Sequence, residues 1–514
     1  MTISEHEQIQ EDEIDVEEVQ EAVKTLKRGK AAGYDRITPE MMQSLGDRGM
    51  KVLTELFNRI WKKEKIPEDW EVGVVIPLFK KGDGSDCNNY RGITLLSVVL
   101  KVYERILEKR LRRIIESQLD ESQSGFRKGR STHDHIFTLK QLIEKRHRQN
   151  KALYLGFIDI QKAFDSVQRG RVWQSLQQRG VPAKLRGNIQ CIYRRTRNYV
   201  RRDNAQSEEF VTEGGLRQGG VLSPALFIII MDDILKEVKS KIRQIHVGYR
   251  NMKAVSISEC LFADDLVILA GSEIELQKNM ETWRESLAER NMKINIEKTK
   301  VMVVGKENKD VKVEMDGMTL QQVKDFKYLG IHIQENGRQE AEVNERVTTA
   351  VKTYHALGNK FLRKREISRG TKMSVYRTIY CPILTYGCES WVMTNTMKSK
   401  IQAAEMKYLR RVKGITRRDR IRNELVRDEL KVEPILKTVE RRQLGWFGHL
   451  ARMEDSRQVK AVWLARVPGR QRRGRPRKTW DGTMAEILKG RNLTWREAQA
   501  ITGNKREWAH LVHK

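Results

Sequence analysis

The chain has 514 residues, 39% of them hydrophobic, and a formal net charge of +30 at pH 7. This length excludes a single small domain and indicates about three domains with sizeable cores. The positive charge indicates a polyanionic partner, most simply nucleic acid, although a basic protein without such a partner is the alternative.

Targeting signals and disulfide patterns are missing from the sequence. The five cysteines are too few and too irregularly spaced for a disulfide framework, which favours a reducing compartment. The first residues are acidic and lack the basic and apolar parts of a signal peptide. The longest apolar run, 225–231, is too short to cross a bilayer. We therefore expect an intracellular protein, in the nucleus or the cytoplasm, that is not secreted and does not enter a membrane.

The first third of the chain alternates helices with one β-rich run. After an acidic lead, Thr38-Pro39 predicts the N-cap and first residue of a helix. A strand is predicted over 71–78, and helices over 98–117 and 132–146 flank a basic loop.

The middle of the chain predicts a buried strand over 152–160 that contains Asp159 near its end. A glycine-rich loop follows later, and Ser223-Pro224 caps a long helix. The intervening elements are predicted as two helices and two short strands, over 172–178, 183–195, 198–201 and 209–212.

Phe262-Ala263-Asp264-Asp265 lies between two β-rich runs and predicts a tight hairpin. Adjacent side chains of a strand point to opposite faces, so consecutive carboxylates serve one site only where the chain turns. A turn at Asp264-Asp265 would present both on one rim. Mg²⁺, which prefers hard oxygen ligands, would relieve their repulsion. A solvated hairpin tip is the alternative for an isolated Asp-Asp pair.

The rest of the chain becomes increasingly helical and then basic. Ser272 and Glu275 form a predicted capping box for a helix to about 290, and a hairpin is predicted at Asp316-Gly317. Strands are predicted over 293–304 and 325–333, and helices over 372–394, 397–412, 423–430 and 436–453.

Several ordered blocks resemble the reverse transcriptases of non-LTR (LINE-type) retrotransposons. These blocks are Ala31-Ala32-Gly33-Tyr34-Asp35, Asn89-Tyr90-Arg91-Gly92-Ile93-Thr94-Leu95-Leu96, Gly125-Phe126-Arg127-Lys128-Gly129-Arg130-Ser131, Phe157-Ile158-Asp159-Ile160-Gln161-Lys162-Ala163-Phe164-Asp165, Gly215-Leu216-Arg217-Gln218-Gly219-Gly220-Val221-Leu222-Ser223-Pro224, Phe262-Ala263-Asp264-Asp265 and Phe326-Lys327-Tyr328-Leu329-Gly330. Gly445-Trp446-Phe447-Gly448-His449 and the basic tail resemble the RTE-type clade.

The resemblance implies an α+β fold in the form of a right hand. Its parts would be an acidic lead over 1–24, fingers over 25–150, a palm with an antiparallel sheet and interleaved fingers elements over 151–335, a helical thumb over 336–415, and a basic nucleic-acid-binding region over 416–514.

The resemblance also implies the chemistry. Asp159 and Asp264 would be metal ligands, and Asp265 would complete a catalytic carboxylate cluster that binds two Mg²⁺ ions. Paired metal ions of this kind clamp the attacking and leaving oxygens of phosphoryl transfer. Asp165 is expected to pair structurally rather than to bind metal.

The implied nucleotide site uses an aromatic wall, a glycine loop and cations. Phe164 would exclude a 2′-hydroxyl, and an ordinary core Phe is the alternative. Gln218-Gly219 would lie along the templating base pair. Lys80, Lys81 and Arg91 would grip phosphates. Either Lys298 or Lys300 would lie near the pyrophosphate.

Further cations would contact nucleic acid. Arg127 and Arg130 would touch the template backbone or else hold the fingers' own fold. Arg473 and Arg475 resemble an AT-hook core, with a non-specific phosphate-binding tail as the alternative. Cys381 and Cys388 lack zinc-ligand spacing, so no zinc is expected.

The implied function is RNA-directed DNA polymerisation, with an RNA template, a DNA primer or target DNA, and dNTPs as partners. A catalytically idle nucleic-acid-binding remnant is one alternative, and the intact carboxylates favour the enzyme. A host RNA-dependent RNA polymerase is another, and Phe164 argues against it. Only a short lead precedes the Ala31–Asp35 block where complete elements carry an endonuclease, so we expect this chain not to nick DNA unless it is part of a longer protein.

Overall fold

A computed structural model describes residues 12–249, 252–305, 310–467 and 477–513. The strands, in chain order, are β1 (Val72–Phe79), β2 (Tyr90–Leu95), β3 (Leu153–Ile158), β4 (Arg197–Arg202), β5 (Ala205–Gln206), β6 (Phe210–Val211), β7 (Ile245–Tyr249), β8 (Met252–Ile257), β9 (Glu259–Phe262), β10 (Asp265–Ala270), β11 (Lys300–Val304), β12 (Glu314–Met315), β13 (Met318–Thr319), β14 (Gln321–Gln322), β15 (Asp325–Tyr328) and β16 (Ile331–Gln334).

The helices divide into a group interleaved with strands and a group that follows them. The first group is Val16–Lys24, Pro39–Gln43, Asp47–Lys63, Glu68–Glu71, Val98–Ile115, Thr132–Gln149, Ala163–Ser166, Arg169–Gln178, Ala183–Arg194, Ser223–Lys241 and Glu273–Ala288. The second is Glu340–Leu357, Arg369–Val375, Cys381–Thr385, Asn395–Lys413, Asn423–Leu430, Ile435–Arg452, Gln458–Leu464, Trp480–Gly490, Trp495–Thr502 and Lys505–His513. Short 3₁₀ turns span Cys87–Asn89, Glu116–Gln118 and Cys388–Ser390, and π-turns span Gly358–Leu362 and Tyr376–Tyr380.

The palm sheet has the strand order β14-β11-β3-β10-β9, with β3 at its centre. β3 pairs antiparallel with both neighbours. Alternate residues of β10 enter two different cores: Leu266 and Ile268 enter one, and Val267 and Leu269 the other. The sheet is therefore covered on both faces, which explains why the inner strands β3, β10 and β11 are mostly apolar.

One face of the palm sheet is covered by the helix Glu273–Ala288. Its N-cap Ser272 accepts a hydrogen bond from the Glu275 amide at 3.2 Å, which confirms the predicted N-cap. The other half of the predicted capping box does not form, because the Glu275 carboxylate accepts from the Gly271 amide at 3.1 Å. The helix lies so close to β3 that a Cβ on Gly156 would meet the Met280 sulfur at 2.9 Å. Gly156 therefore permits the close approach of helix and strand.

A second sheet forms the fingers, with the order β2-β1-β4-β5 and β6 paired to β4. β1 and β2 form an antiparallel hairpin, and β1 pairs with β4 in parallel. The predicted strand over 71–78 is therefore confirmed as the central part of this sheet.

Several element boundaries differ from those predicted. The segment 325–333 is a hairpin of β15 and β16 rather than one strand, because Leu329 and Gly330 adopt positive φ angles of 47° and 80° and turn the chain. The helix predicted over 372–394 is broken into shorter pieces. The strand predicted over 293–304 is regular only from Lys300.

The C-terminal third contains two helical cores. The first core runs from Val343 to Val439, beyond the predicted thumb boundary at residue 415. The second contains Trp446, Phe447, Trp480 and Trp508, and residues between 444 and 512 form it together with Phe137 of the fingers. Within the described residues, the predicted basic tail is therefore largely a folded, aromatic-cored helical unit.

In the part of the chain that the structure describes, none of the helices has the length and apolar character that a bilayer crossing needs.

The aromatic core predicts opposite effects for two glycines of the helix Ile435–Arg452. A Cβ on Gly448 would lie 2.1 Å from Nε1 of Trp508, whereas a Cβ on Gly445 meets nothing within 4 Å. We expect Gly448→Ala to lower the free energy of unfolding by about 1–3 kcal/mol through overpacking. Gly445→Ala should raise it by up to about 1 kcal/mol, because alanine favours the helix. Chemical denaturation measures both, and equal shifts of the same sign would contradict this packing.

Candidate active site

Asp159 directly follows the central strand of the palm sheet. The antiparallel register pairs Ile158 of β3 with Leu266 of β10, so the next position places Asp159 across from Asp265. The backbone of Asp159 is fixed by two bonds: its carbonyl accepts from the Asn295 amide at 2.8 Å, and its amide donates to Oγ1 of Thr299 at 3.3 Å. The predicted strand thus ends in a firmly held carboxylate.

The turn of the β9–β10 hairpin lies one residue earlier than predicted. Phe262 pairs with Asp265, which leaves Ala263 and Asp264 as the turn residues. Ala263 has a positive φ of 59°, which allows the tight reversal. Asp265 is the first residue of β10 rather than part of the turn. Because Asp264 is in the turn and Asp265 begins the strand, both still lie at the sheet end that carries Asp159.

The pKa values of these carboxylates respond to one another's charges. Burial raises the pKa of Asp264, the Asp159 charge raises it further, and the Arg91 charge lowers it. The pKa of Asp265 is raised to about 6, by burial first and then by the charges of Asp264 and Asp159. Asp264 and Asp265 remain open to solvent in the cleft, while the protein around them displaces part of their hydration.

Lys298 is the lysine that approaches this cluster. Its Nζ lies 3.5 Å from Oδ2 of Asp159. Lys300 instead donates its ammonium group to the Glu297 carbonyl and pairs along β11 with Phe157. Of the two lysines left open by the sequence, Lys298 is therefore the one beside the carboxylates.

The donor set has the chemistry of a divalent-cation site. Carboxylate oxygens are hard ligands suited to Mg²⁺. Burial first, and then the neighbouring negative charges, raise the pKa of Asp265, and a bound cation would offset both effects. Among the described residues, however, no group of three or more His, Cys, Asp or Glu side chains is close enough to hold a metal ion. Ion binding would therefore have to draw the carboxylates closer together than they lie here.

Phe164 is held rigidly beside the sheet end. Its ring stacks on Phe227 of the helix Ser223–Lys241, with centroids 4.4 Å apart and planes at 13°. It also meets the edge of Phe126 at 6.3 Å. The ring is only half-buried, so it presents a fixed aromatic surface to the cleft.

The glycine loop packs against the turn that carries Phe164. Nε2 of Gln218 donates to Oδ1 of Asp165 at 3.3 Å, and the Leu216 amide donates to the Phe164 carbonyl at 2.9 Å. Asp165 thus pairs with a neighbouring side chain, as predicted. Gly219 has a φ of 96°, and a Cβ there would lie 2.4 Å from the Thr94 carbonyl oxygen, so only glycine fits.

The predicted phosphate-gripping cations come from the fingers hairpin. Arg91 lies on β2, and Lys80 and Lys81 follow the end of β1. All of them are exposed to solvent. The charge of Arg91 lowers the pKa of the Asp264 carboxyl, so this end of the fingers sheet lies near the palm carboxylates.

Arg127 and Arg130 bind internal partners, which favours the second of their two predicted roles, holding the fingers' own fold, over template contact. Arg127 is buried, donating to the Glu116 carboxylate at 2.8 Å and to the Asp120 carbonyl at 2.7 Å. Arg130 makes a bidentate pair with Glu121, with both bonds at 2.6 Å. Their guanidinium groups serve the fingers' own fold, because internal carboxylates and carbonyls already bind them.

Two predicted residues cannot be placed, and one residue near the site was not predicted. Arg473 and Arg475 lie outside the described residues. Gln123, which no sequence pattern marks, lies buried against the turn of the β9–β10 hairpin. A single glutamine ahead of a basic loop gives no signal until the fold brings it to Ala263.

Part of the chain matches a known protein family. Residues 79–333 match the family described as reverse transcriptase (RNA-dependent DNA polymerase). The fold and the matched region are of the right-hand polymerase type. This region of the chain belongs to the reverse transcriptase family and, within it, to the non-LTR, LINE-type group. Its RTE-type assignment stays a prediction.

Similar proteins come from several mobile elements. A probable RNA-directed DNA polymerase from transposon X-element of Drosophila melanogaster is 25% identical over 474 residues, covering 90% of this chain and 50% of that protein. A Pol polyprotein from the type-1 retrotransposable element R2 of Nasonia vitripennis is 27% identical, covering 64% and 32%. Among solved structures, apo telomerase from Candida tropicalis, truncated from its C-terminal domain, aligns at 14% identity with a TM-score of 0.37, covering 57% and 61%.

The chain spans half of the X-element protein and about a third of the R2 polyprotein. What those larger proteins do is therefore a matter of proposal for this chain.

The raised pKa of Asp265 predicts that Asp265→Asn stabilises the protein at neutral pH in the absence of divalent ions. The folded pKa of about 6 lies above the ordinary 3.8. Stability from this group is therefore fully present below pH 3.8 and is lost as pH rises through about 6. Thermal unfolding in EDTA should show a higher Tm for the variant above about pH 6 and convergence toward about pH 4.

Glu237→Gln is the control of opposite sign. Hydrogen bonding to Lys241, and then to Arg290, lowers the pKa of Glu237 to about 2. Its contribution is present above the ordinary pKa of 4.5 and is lost as pH falls through about 2, so this variant should lower Tm at neutral pH. An Asp265→Asn variant no more stable than wild type at neutral pH would contradict the described electrostatics.

Proposed function

We propose that the chain is an RNA-directed DNA polymerase that adds dNTPs to a primer 3′-hydroxyl and releases pyrophosphate. The observation that carries this proposal is the gathering of Asp159, Asp264 and Asp265 at one end of the palm sheet, with Arg91 and Lys298 beside them. Phosphoryl transfer needs little from a protein beyond positioning and charge neutralisation, which these groups can supply.

The carboxylates would hold two divalent ions, proposed to be Mg²⁺. When bound, the ions would lower the charge on the reacting oxygens and orient them for in-line attack. Asp159 and Asp264 would be the direct ligands, and Asp265 would complete the cluster. The raised pKa of Asp265 supports this assignment, because burial and then the charges of Asp264 and Asp159 both disfavour its ionised form, which bound cations would stabilise.

The incoming nucleotide would lie between the fingers hairpin and the palm. Arg91 can make bidentate contact with phosphate, and Lys80 and Lys81 would act as point charges from the hairpin end. Lys298, already beside Asp159, is proposed to lie near the pyrophosphate. Gln218 and Gly219 would lie along the templating base pair.

The template–primer duplex is proposed to contact the thumb. The helix Glu340–Leu357 and the turn after it present exposed cations to solvent, namely Lys352, Lys360, Arg363, Lys364 and Arg365. A hybrid or A-form duplex is recognised mainly through its shape and backbone, which an array of cations suits.

Primer extension on an RNA template with Mg²⁺ tests the proposal. We expect wild type to extend the primer and Asp264→Asn to reduce kcat by about 10²-fold or more, because a ligand of the ions that would stabilise the transition-state charge is lost. Asp316→Asn is a matched control, since Asp316 also lies in the turn of a β-hairpin but far along the chain from the cluster. Equal extension by wild type and Asp264→Asn would reject the enzyme and favour an idle nucleic-acid-binding remnant.

The side chain of Phe164 predicts that the enzyme prefers dNTPs to rNTPs. Replacing it with valine opens space beneath the 2′ position, so we expect the ratio of kcat/KM for dNTP over rNTP to fall by about 10-fold or more. Single-nucleotide incorporation measures this ratio for each enzyme. Phe210→Ala, an exposed phenylalanine on β6, is the control that should keep the wild-type ratio. A wild type without dNTP preference would refute the assigned role of Phe164.

A further inference from the structure

A short segment before the basic loop covers the outer edge of the catalytic hairpin. β9 is the last strand of the palm sheet. The Leu261 amide donates to the Ser122 carbonyl at 3.2 Å, and the Ser124 amide donates to the Leu261 carbonyl at 3.0 Å. Gln123 therefore bridges Leu261 in parallel, and the segment protects an edge that would otherwise lack partners.

The Gln123 side chain continues this contact into the turn. Its Oε1 accepts hydrogen bonds from the Gly125 amide at 2.7 Å and from the Ala263 amide at 3.2 Å. Gln123 is fully buried, and its Nε2 has no partner among the described residues. Gln123 therefore acts through its acceptor oxygen, which holds the backbone of Ala263, the residue immediately before Asp264.

Gly125 holds the same turn by close packing. A Cβ at Gly125 would lie 2.3 Å from the Ala263 nitrogen and 2.8 Å from its Cα, so any larger residue would push the turn away. Ala263 itself is buried and adopts a positive φ of 59°, a conformation that costs energy outside glycine. The surrounding contacts must therefore maintain it.

The buried arginine of the basic loop anchors the segment from behind. Arg127 donates to the Gln123 carbonyl at 3.0 Å and to the Asp120 carbonyl at 2.7 Å, and it pairs with Glu116 at 2.8 Å. Gln123 is therefore held at its backbone by Arg127 while its side chain holds Ala263. Arg127 thus has a structural role in the basic loop, which is to hold the backbone of Gln123.

We propose that Gln123, with Gly125, is a positioning residue that sets the place of Asp264 in the catalytic cluster by holding the Ala263 turn. This inference rests on the proposed function. Residues 122–125 would act indirectly, because they contact the hairpin turn and not the reacting groups themselves. Glutamine suits the role because its acceptor is neutral, whereas a carboxylate would add negative charge near the cluster.

Two substitutions at Gln123 test the proposal by primer extension. Gln123→Met removes the acceptor at similar size, and we expect kcat to fall about 10- to 100-fold while template–primer affinity and the dNTP KM stay within about threefold. Gln123→Glu keeps the acceptor oxygens and should stay within about tenfold of the wild-type kcat. Mn²⁺ binding to the protein alone, measured by electron paramagnetic resonance, should weaken in Gln123→Met and less in Gln123→Glu.

The matched control is Gln443→Met. Gln443 is also buried and donates to the Trp391 carbonyl at 2.8 Å in the C-terminal helices. It should lower Tm without lowering kcat. If Gln123→Met does not fold, the same measurements on Gln123→Asn, whose shorter side chain withdraws the acceptor, take its place.

Three results would overturn the inference: a Gln123→Met enzyme with wild-type kcat and Mn²⁺ binding, a Gln123→Glu enzyme as impaired as Gln123→Met, or an equal loss of kcat in Gln443→Met. Absence of extension by wild type would instead reject the proposed function. In that case the comparison of Mn²⁺ binding would still decide whether Gln123 positions the hairpin.

Discussion

The antiparallel pairing of β3 with β10 is the constraint on which the site depends. It sets Asp159 opposite Asp265 and leaves Asp264 in the adjoining turn. Carboxylates gathered in this way repel one another, and the raised pKa of Asp265, about 6, records that repulsion together with partial burial. The fold therefore maintains an arrangement that is unfavourable without cations, which is typical of sites built for function rather than for stability.

Several neighbouring elements support this arrangement. Lys298 lies beside Asp159 and Arg91 acts on Asp264, so the palm and the fingers each contribute a cation. Gln123 and Gly125 hold the turn from the outer edge of the sheet. The cluster is thus surrounded by groups that either offset its charge or restrict its movement, while the carboxylates themselves remain accessible from the cleft.

The sequence predicted most of this site because its signals are local. A buried strand that ends at Asp159 and a hairpin around Asp264 are visible as apolar runs broken by acidic residues. The turn was placed one residue late, since only the pairing of Phe262 with Asp265 defines it. The roles of Arg127 and Arg130 depended on burial, which a basic loop does not reveal. The same holds for Gln123.

The C-terminal region was the least predictable part of the fold. Its aromatic residues are far apart in the sequence and converge only when the helices pack, as Trp446 and Trp508 do. Phe137 of the fingers belongs to the same core. The C-terminal helical unit therefore packs directly against the fingers. The basic composition of this region favours a nucleic-acid-binding tail. Net charge describes the surface, however, and does not predict whether a segment folds around a core.

The most direct test of the central claim is a structure of the protein with RNA template, a chain-terminated DNA primer, Mg²⁺ and an incoming dNTP. We predict ion density bridging the carboxylates of Asp159 and Asp264, with the nucleotide triphosphate between them and Arg91. Nucleotide and ions bound away from these carboxylates would contradict the account.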